Sequence, residues 1–276
     1  MPAAPPALCV LDGEVLPAAE ATISVLDEGL LRGDGVFEGL RLTAGELYAL
    51  DEHLARMTRS AANLRLPLDV DAVRADVEAL VAAAGPVDGI VRTLVTRGGR
   101  RITLLEAHPD AGESVALRSI TYTPTRVLDG VKSLSYGANM LARRLAREEG
   151  ADDALLCTPH GRVLEGPTQA FFCVVEGELV TPPLSDHILD SITRRVVLEV
   201  SEATERVVTI EEARGASEAW LSSSSRDVLP VRAIDGRTLG GDGAVVPGPV
   251  AQRVAEAAAA HTAAGKPAVL AGAEAP

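Results

Sequence analysis

Four glycine-containing turns divide this chain into short pieces. Asp12-Gly13, Ala44-Gly45, Glu176-Gly177 and Asp235-Gly236 each separate apolar runs of strand length, and glycine there permits the left-handed backbone of a tight connection. Residues 8–16 read as one hairpin, and 37–42 with 47–50 read as two strands joined at the second turn. Residues 90–96, 114–120, 154–158, 171–176, 178–180, 220–222 and 228–234 also run or alternate like strands. A further turn stands at Pro159-His160-Gly161. Between the strands lie helical stripes. Leu54, Met57, Ala61 and Leu64 recur at helical spacing in a helix expected to start near Asp51, a good N-cap. Residues 73–84, closed by Gly85-Pro86, and 138–149, 189–203 and 249–260 read as four more helices. The pattern predicts a mixed α/β (α+β) chain, with mostly antiparallel neighbours in the first half. Residues 121–130 hold Pro124, Asp129 and Gly130 without an apolar run. They divide the chain into a domain over 1–120, a linker over 121–130 and a domain over 131–276.

Length and charge narrow the classes. A chain of 276 residues suits one large or two medium domains. A net charge of −13 opposes nucleic-acid binding, which needs a basic face. No apolar run approaches the roughly 18 residues that span a membrane, and residues 1–7 lack the pattern of a signal peptide, so a cytoplasmic protein is expected. Cys9, Cys157 and Cys173 have no metal-ligand spacing and read as buried free thiols. The five histidines are scattered, so no metal site is expected.

Lysine is nearly absent. Of 26 basic residues, only Lys132 and Lys266 are lysines. Arginine does not deprotonate near neutral pH. Lys266 falls in a stretch, 261–276, without apolar periodicity that reads as a mobile tail. Any amine chemistry therefore falls to Lys132, in a strand-like run.

Three segments carry a resemblance. The first is DEGLLRGDGVFEGLR at 27–41 with HLARM at 53–57. The second is VKSLSY at 131–136 with Asn139-Met140. The third is GRVLEGP at 161–167, followed by LVTPP at 179–183 and SITR at 191–194. In this order and spacing they resemble the class IV (branched-chain/D-amino-acid) aminotransferase family of fold-type IV pyridoxal-phosphate (PLP) enzymes, over about residues 11–249.

The resemblance implies a role for each matching residue. Lys132 is the Schiff-base lysine and general acid/base, because PLP needs an amine to capture its aldehyde and then to move a proton. Glu165 keeps the ring nitrogen protonated. Arg56, the start of the helix at Ile192-Thr193, and Ser224 and Ser225 bind the phosphate. Tyr136 meets the cofactor's phenolic oxygen. Phe37 belongs to the substrate side. Arg97, in Val95-Thr96-Arg97-Gly98, is a candidate clamp for a substrate carboxylate. Arg32 is either a second carboxylate partner or an ion-pair partner of Asp34 or Glu38. Ala170 stands where the family often has Asn, so the surroundings of Glu165 differ from the pattern.

The implied fold is a smaller N-terminal α/β domain and a larger C-terminal domain with a barrel-like β core, PLP lying between them. The family is built on homodimers. The implied reaction is transamination between an α-amino acid and a 2-oxo acid. Alternatives are the lyase reaction on 4-amino-4-deoxychorismate, giving 4-aminobenzoate and pyruvate, and transamination of (R)-amines. Motifs shared within the family do not separate them.

Overall fold

The computed structural model describes residues 7–108, 112–241 and 245–265. The chain divides into two compact units, Met1–Pro109 with Gly130–Tyr136, and Asp110–Asp129 with Gly137–Pro276.

The first unit is an antiparallel sheet covered on one face by helices. Its elements are β1 (Leu8–Leu11), β2 (Glu14–Pro17), α1 (Glu28–Arg32), β3 (Gly35–Thr43), β4 (Glu46–Leu47), α2 (Leu50–Asn63), α3 (Val70–Ala84), β5 (Gly89–Thr96) and β6 (Arg101–Glu106). The strand order is β2-β1-β6-β5-β3-β4. The predicted β1–β2 hairpin forms, with Asp12 and Gly13 both at positive φ. On β3 and β5, Val36, Leu40, Leu42, Val91 and Val95 point to one face and pack on Leu54, Met57 and Ala61 of α2 and Val73, Val77 and Leu80 of α3. Each such buried side chain contributes about 1.5–3 kcal/mol. Pairing of Phe37 with Leu94 and of Gly39 with Arg92 puts these four residues on the opposite face.

Several boundaries differ from the sequence reading. The strand expected over 47–50 ends at Leu47, because Ala49 turns to φ 56° and Leu50 opens α2. Asp51 is therefore not the N-cap; with Glu52 it occupies the first turn, where negative charge suits the helix dipole. Helix α3 starts at Val70 because the Asp69 carboxylate accepts the Ala72 N–H at 3.0 Å. Strand β6 was not anticipated.

The second unit is built on a curled, half-barrel sheet. Its elements are β7 (Val115–Thr121), α4 (Gly137–Glu148), β8 (Asp153–Cys157), β9 (Ala170–Val175), β10 (Glu178–Thr181), α5 (Ile192–Val200), β11 (Thr204–Glu205), α6 (Ile210–Gly215), β12 (Glu218–Ser223), β13 (Arg226–Ile234), β14 (Arg237–Thr238) and α7 (Pro249–Ala263). The order is β11-β10-β9-β12-β13-β7-β8, with β14 on β13. Phe171, Leu221 and Leu155 pack in one core, and Phe172 and Trp220 lie on the other side with Val197 of α5 and Val254 of α7. The Phe172 and Trp220 rings stack at 5.6 Å and 7°.

The units do not follow the expected division at 120 and 131. Strand β7 pairs in parallel with β8 and β13 and so lies in the second sheet. Residues 130–136 belong to the first unit, where Ser133 bridges to Val36 of β3. Helix α5 starts at Ile192 rather than 189, capped by the Ser191 hydroxyl. Helix α7 runs to Ala263 and buries His261, so the expected tail does not start at 261; Lys266 lies outside the described residues. Among those residues, no helix is long and apolar enough to cross a membrane, and no group of three or more His, Cys, Asp or Glu residues can hold a metal. All three thiols are free and buried, and burial pushes Cys157 and Cys173 up to about 12.

Candidate active site

In the first unit, Lys132 is fixed by its backbone. Its carbonyl accepts the Phe37 N–H at 3.1 Å, and its N–H donates to the buried Ser60 hydroxyl at 3.1 Å. Leu134 N–H donates to the Gly35 carbonyl at 2.9 Å. Gly35 is required for this approach, since a Cβ there would stand 2.6 Å from the Leu134 side chain and 2.5 Å from the Val95 carbonyl. Lys132 is thus not in a regular strand, as its sequence suggested, but in a segment laid along β3. Its Nζ stands 4.4 Å from the centroid of the Phe37 ring and 3.5 Å from the Tyr136 hydroxyl. Phe37 and Tyr136 meet edge to face at 5.1 Å and 82°. The structure therefore brings Lys132, Tyr136 and Phe37 together on the face of the sheet opposite α2.

Behind that face lies a buried cluster that the sequence reading missed. The Glu38 carboxylate accepts Arg56 Nε at 2.7 Å and Nη2 at 2.5 Å, and pairs with His53 Nδ1 at 2.8 Å. All three side chains are buried. Burial alone would raise the Glu38 carboxyl, but the Arg56 charge and the hydrogen bonds from Arg56 and His53 hold it well below the usual carboxylate range. Burial lowers His53, assisted by the Arg56 and Lys132 charges, against the opposing pull of Glu38. The one visible signal was the three-residue spacing of His53 and Arg56 on a helix.

The two substrate-side arginines are placed differently from expectation. Arg32 is exposed and pairs with Glu28, not with Asp34 or Glu38. Asp34 instead accepts Arg97 Nε at 2.7 Å, while Arg97 Nη1 and Nη2 donate to the carbonyls of Arg65 and Leu64, each at 2.8 Å. The carboxylate expected at Arg97 is thus supplied here by the protein. A third arginine shares the Phe37 ring with Lys132. Arg92 lies over the Phe37 ring at 5.4 Å and is gripped at both ends of its fork by Glu106, at 2.9 Å each.

In the second unit, Glu165 sits on a pinned turn. Its carbonyl accepts Leu156 N–H at 2.9 Å, Gly166 N–H donates to Gln169 at 2.8 Å, and the Pro167 carbonyl accepts the Asn139 amide at 2.9 Å. Both Glu165 carboxylate oxygens lie near Leu189 N–H, at 3.4 and 3.3 Å. Burial and then the negative charge of Glu165 push the Tyr122 phenol up. Ala170 pairs with Ser222 across β9 and β12, and the buried Ser222 hydroxyl has no partner among the described residues. Ile192 and Thr193 are buried in the first turn of α5, whose N–H groups have no intrahelical acceptor. The Ser223 and Ser225 hydroxyls meet at 2.9 Å, and Ser224 lies between them in the turn to β13.

These donor sets fit a phosphorylated pyridine aldehyde. The first unit offers an amine beside a phenol and a buried arginine. The second offers a carboxylate, a helix N-terminus of nine residues and an unpaired buried hydroxyl.

Comparison with known proteins agrees with that chemistry. Residues 35–234 match the model of the amino-transferase class IV family. A D-alanine aminotransferase of Bacillus licheniformis is 31% identical over 268 residues, covering 89% of this chain and 93% of its own. A candidate branched-chain-amino-acid aminotransferase of Methanocaldococcus jannaschii is 33% identical, covering 83% of this chain and 88% of its own. A solved hypothetical aminotransferase from Mycobacterium tuberculosis, in a PLP-bound form, matches with a TM-score of 0.83 and 27% identity over 94% of this chain and 99% of its own.

Proposed function

This chain belongs to the class IV aminotransferase family, and we propose that its PLP-dependent transamination between an α-amino acid and a 2-oxo acid is carried by Lys132. PLP, when bound, supplies the electron sink that stabilises charge left at the substrate α-carbon. Lys132 Nζ would hold the cofactor at its aldehyde and would move the proton at that substrate carbon. The Tyr136 hydroxyl, 3.5 Å from Nζ, keeps the amine oriented. The Glu165 carboxylate holds a proton on the ring nitrogen. Arg56, the N–H groups of Ile192 and Thr193, and the hydroxyls of Thr193, Ser224 and Ser225 bind the phosphate. Phe37 is an apolar wall for the substrate.

The observation that carries this reading is the placement of Lys132 Nζ over Phe37 and beside Tyr136. The test is Lys132→Ala. It should lose the absorbance of the imine-linked cofactor and at least about three orders of magnitude of turnover. A panel of L- and D-amino acids and (R)-1-phenylethylamine then defines the donor. Retained absorbance and turnover in the variant would remove Lys132 from this role.

A homodimer is part of the same proposal. Val25, Leu26, Leu30 and Leu31 of the first unit are more than half exposed, an apolar grouping that a second copy would cover. Sedimentation at micromolar concentration should give twice the mass of the chain. Three buried free thiols suit a reducing, cytoplasmic setting.

A further inference from the structure

Arg92 and Glu106 form a charged pair on the face of the first sheet that carries Phe37, the ring that Lys132 Nζ also touches. Register explains how they meet. Arg92 of β5 pairs with Leu104 of β6, and Glu106 pairs with Ile90, so the two are diagonal neighbours on one face. Phe37 lies on that face as well. Its ring carries Arg92 on one contact at 5.4 Å and Lys132 Nζ on another at 4.4 Å. Directly opposite Arg92 is Gly39, which has no side chain to cover the guanidinium. A Cβ at Gly39 would meet only Ile90, at 3.7 Å. Strand β3 therefore places no side chain over Arg92 at this position.

Glu106 decides what that side chain meets. Its two oxygens occupy Nε and Nη2 of Arg92 at 2.9 Å each. A bare guanidinium would favour a second carboxylate on the substrate. A guanidinium already paired two-point presents almost no net charge, and a substrate carboxylate would have to displace Glu106 against like-charge repulsion.

We propose that the Arg92–Glu106 pair is the side-chain selector of this enzyme, with Glu106 turning the site toward amino and oxo acids with uncharged side chains and away from dicarboxylic ones. The proposal rests on the reading of Lys132 as the reacting amine.

The test compares two acceptors of equal chain length, 2-oxoglutarate and 2-oxopentanoate, with a fixed amino donor. The readout is the ratio of their kcat/KM values, which a general loss of folded enzyme leaves unchanged. Glu106→Gln should raise the ratio for 2-oxoglutarate by roughly tenfold or more, the size of one charge-assisted hydrogen bond. Arg92→Gln should move the ratio the other way, because the dicarboxylate then meets Glu106 alone. The double variant should lose the gain of Glu106→Gln. A ratio within about twofold of wild type in Glu106→Gln, or an equal rise in the double variant, would overturn the selector. Failure of the underlying reading has a different signature, namely turnover that survives Lys132→Ala.

Discussion

Glu38 and Arg56 form a two-point ion pair sealed from solvent, with Arg56 Nε at 2.7 Å and Nη2 at 2.5 Å from the carboxylate. The pair fixes the direction of an arginine proposed to bind phosphate, so removing Arg56 has two consequences. It takes away a phosphate partner, and it leaves a buried carboxylate without its two-point partner. Breaking a buried pair from one side costs about 3–5 kcal/mol. Arg56→Ala should therefore lower stability by that amount in urea denaturation, besides weakening PLP binding. An unchanged unfolding midpoint would show that the pair is structurally idle.

The same cluster sets a pH dependence. His53 is lowered in the folded chain, so the unfolded chain binds more protons below its ordinary value of about 6.5. Stability should rise with pH up to that value and level off above it. Glu38 adds a second limb at lower pH. Its folded value lies below the usual carboxylate value of about 4.3. Its stabilising contribution is complete above that value and is lost as pH falls through the folded one. His53→Gln should flatten the slope between about pH 5 and 7 and leave the acidic limb in place. Equal slopes in variant and wild type would assign the dependence to another group.

Trp220 separates volume from polarity. It is fully buried against Phe172, and its indole N–H has no partner among the described residues. Trp220→Ala should cost about 3–5 kcal/mol through the cavity it leaves. Trp220→Phe should cost less than about 1.5 kcal/mol, because it also removes an unsatisfied donor. Thermal denaturation of the two variants checks the order.

Asp27 gives a fourth test. Its carboxylate caps α1 at Gly29 N–H (2.8 Å) and accepts the Thr96 hydroxyl (2.9 Å). A Cβ on Gly98 would stand 2.3 Å from that carboxylate. Gly98→Ala should expel Asp27 and cost about 1–2 kcal/mol, the range of a lost helix cap. Asp27→Ala with Gly98→Ala should cost no more than Asp27→Ala alone, since both act through one group.

The sequence was legible where a residue type has a local job. Glycine turns at Asp12-Gly13 and Asp235-Gly236 marked hairpins that form. Lys132 stood out because lysine is scarce, and Phe37 and Tyr136 lie beside its amine. What was lost depends on register. Arg92 and Glu106 are 14 residues apart and meet only because β5 pairs with β6. Strand β6 itself was hidden because one face carries Ile102 and Leu104 while the buried face includes Thr103, whose hydroxyl bonds Thr93 at 2.9 Å. From sequence alone Glu38 is only a candidate partner for Arg32, and its pairing with His53 and Arg56 depends on how α2 packs on β3. Helix α6 has only six residues, too few for a periodic signal, although its capping box, Thr209 with Glu212, was present in the sequence.

The segment that bears Lys132 returns to the first unit after the chain has already built β7 of the second. For anyone recombining this gene with a relative, the unit that holds the lysine is therefore not a contiguous cassette. A single crossover within residues 110–129 would join the sheet of one parent to the lysine segment of the other. Phe37 and Ser60, which grip the Lys132 backbone, would then come from a different ancestor than the residue they hold. Exchanging the first unit intact takes three junctions, near residues 110 and 130 and after Tyr136, so that the lysine travels with its own sheet.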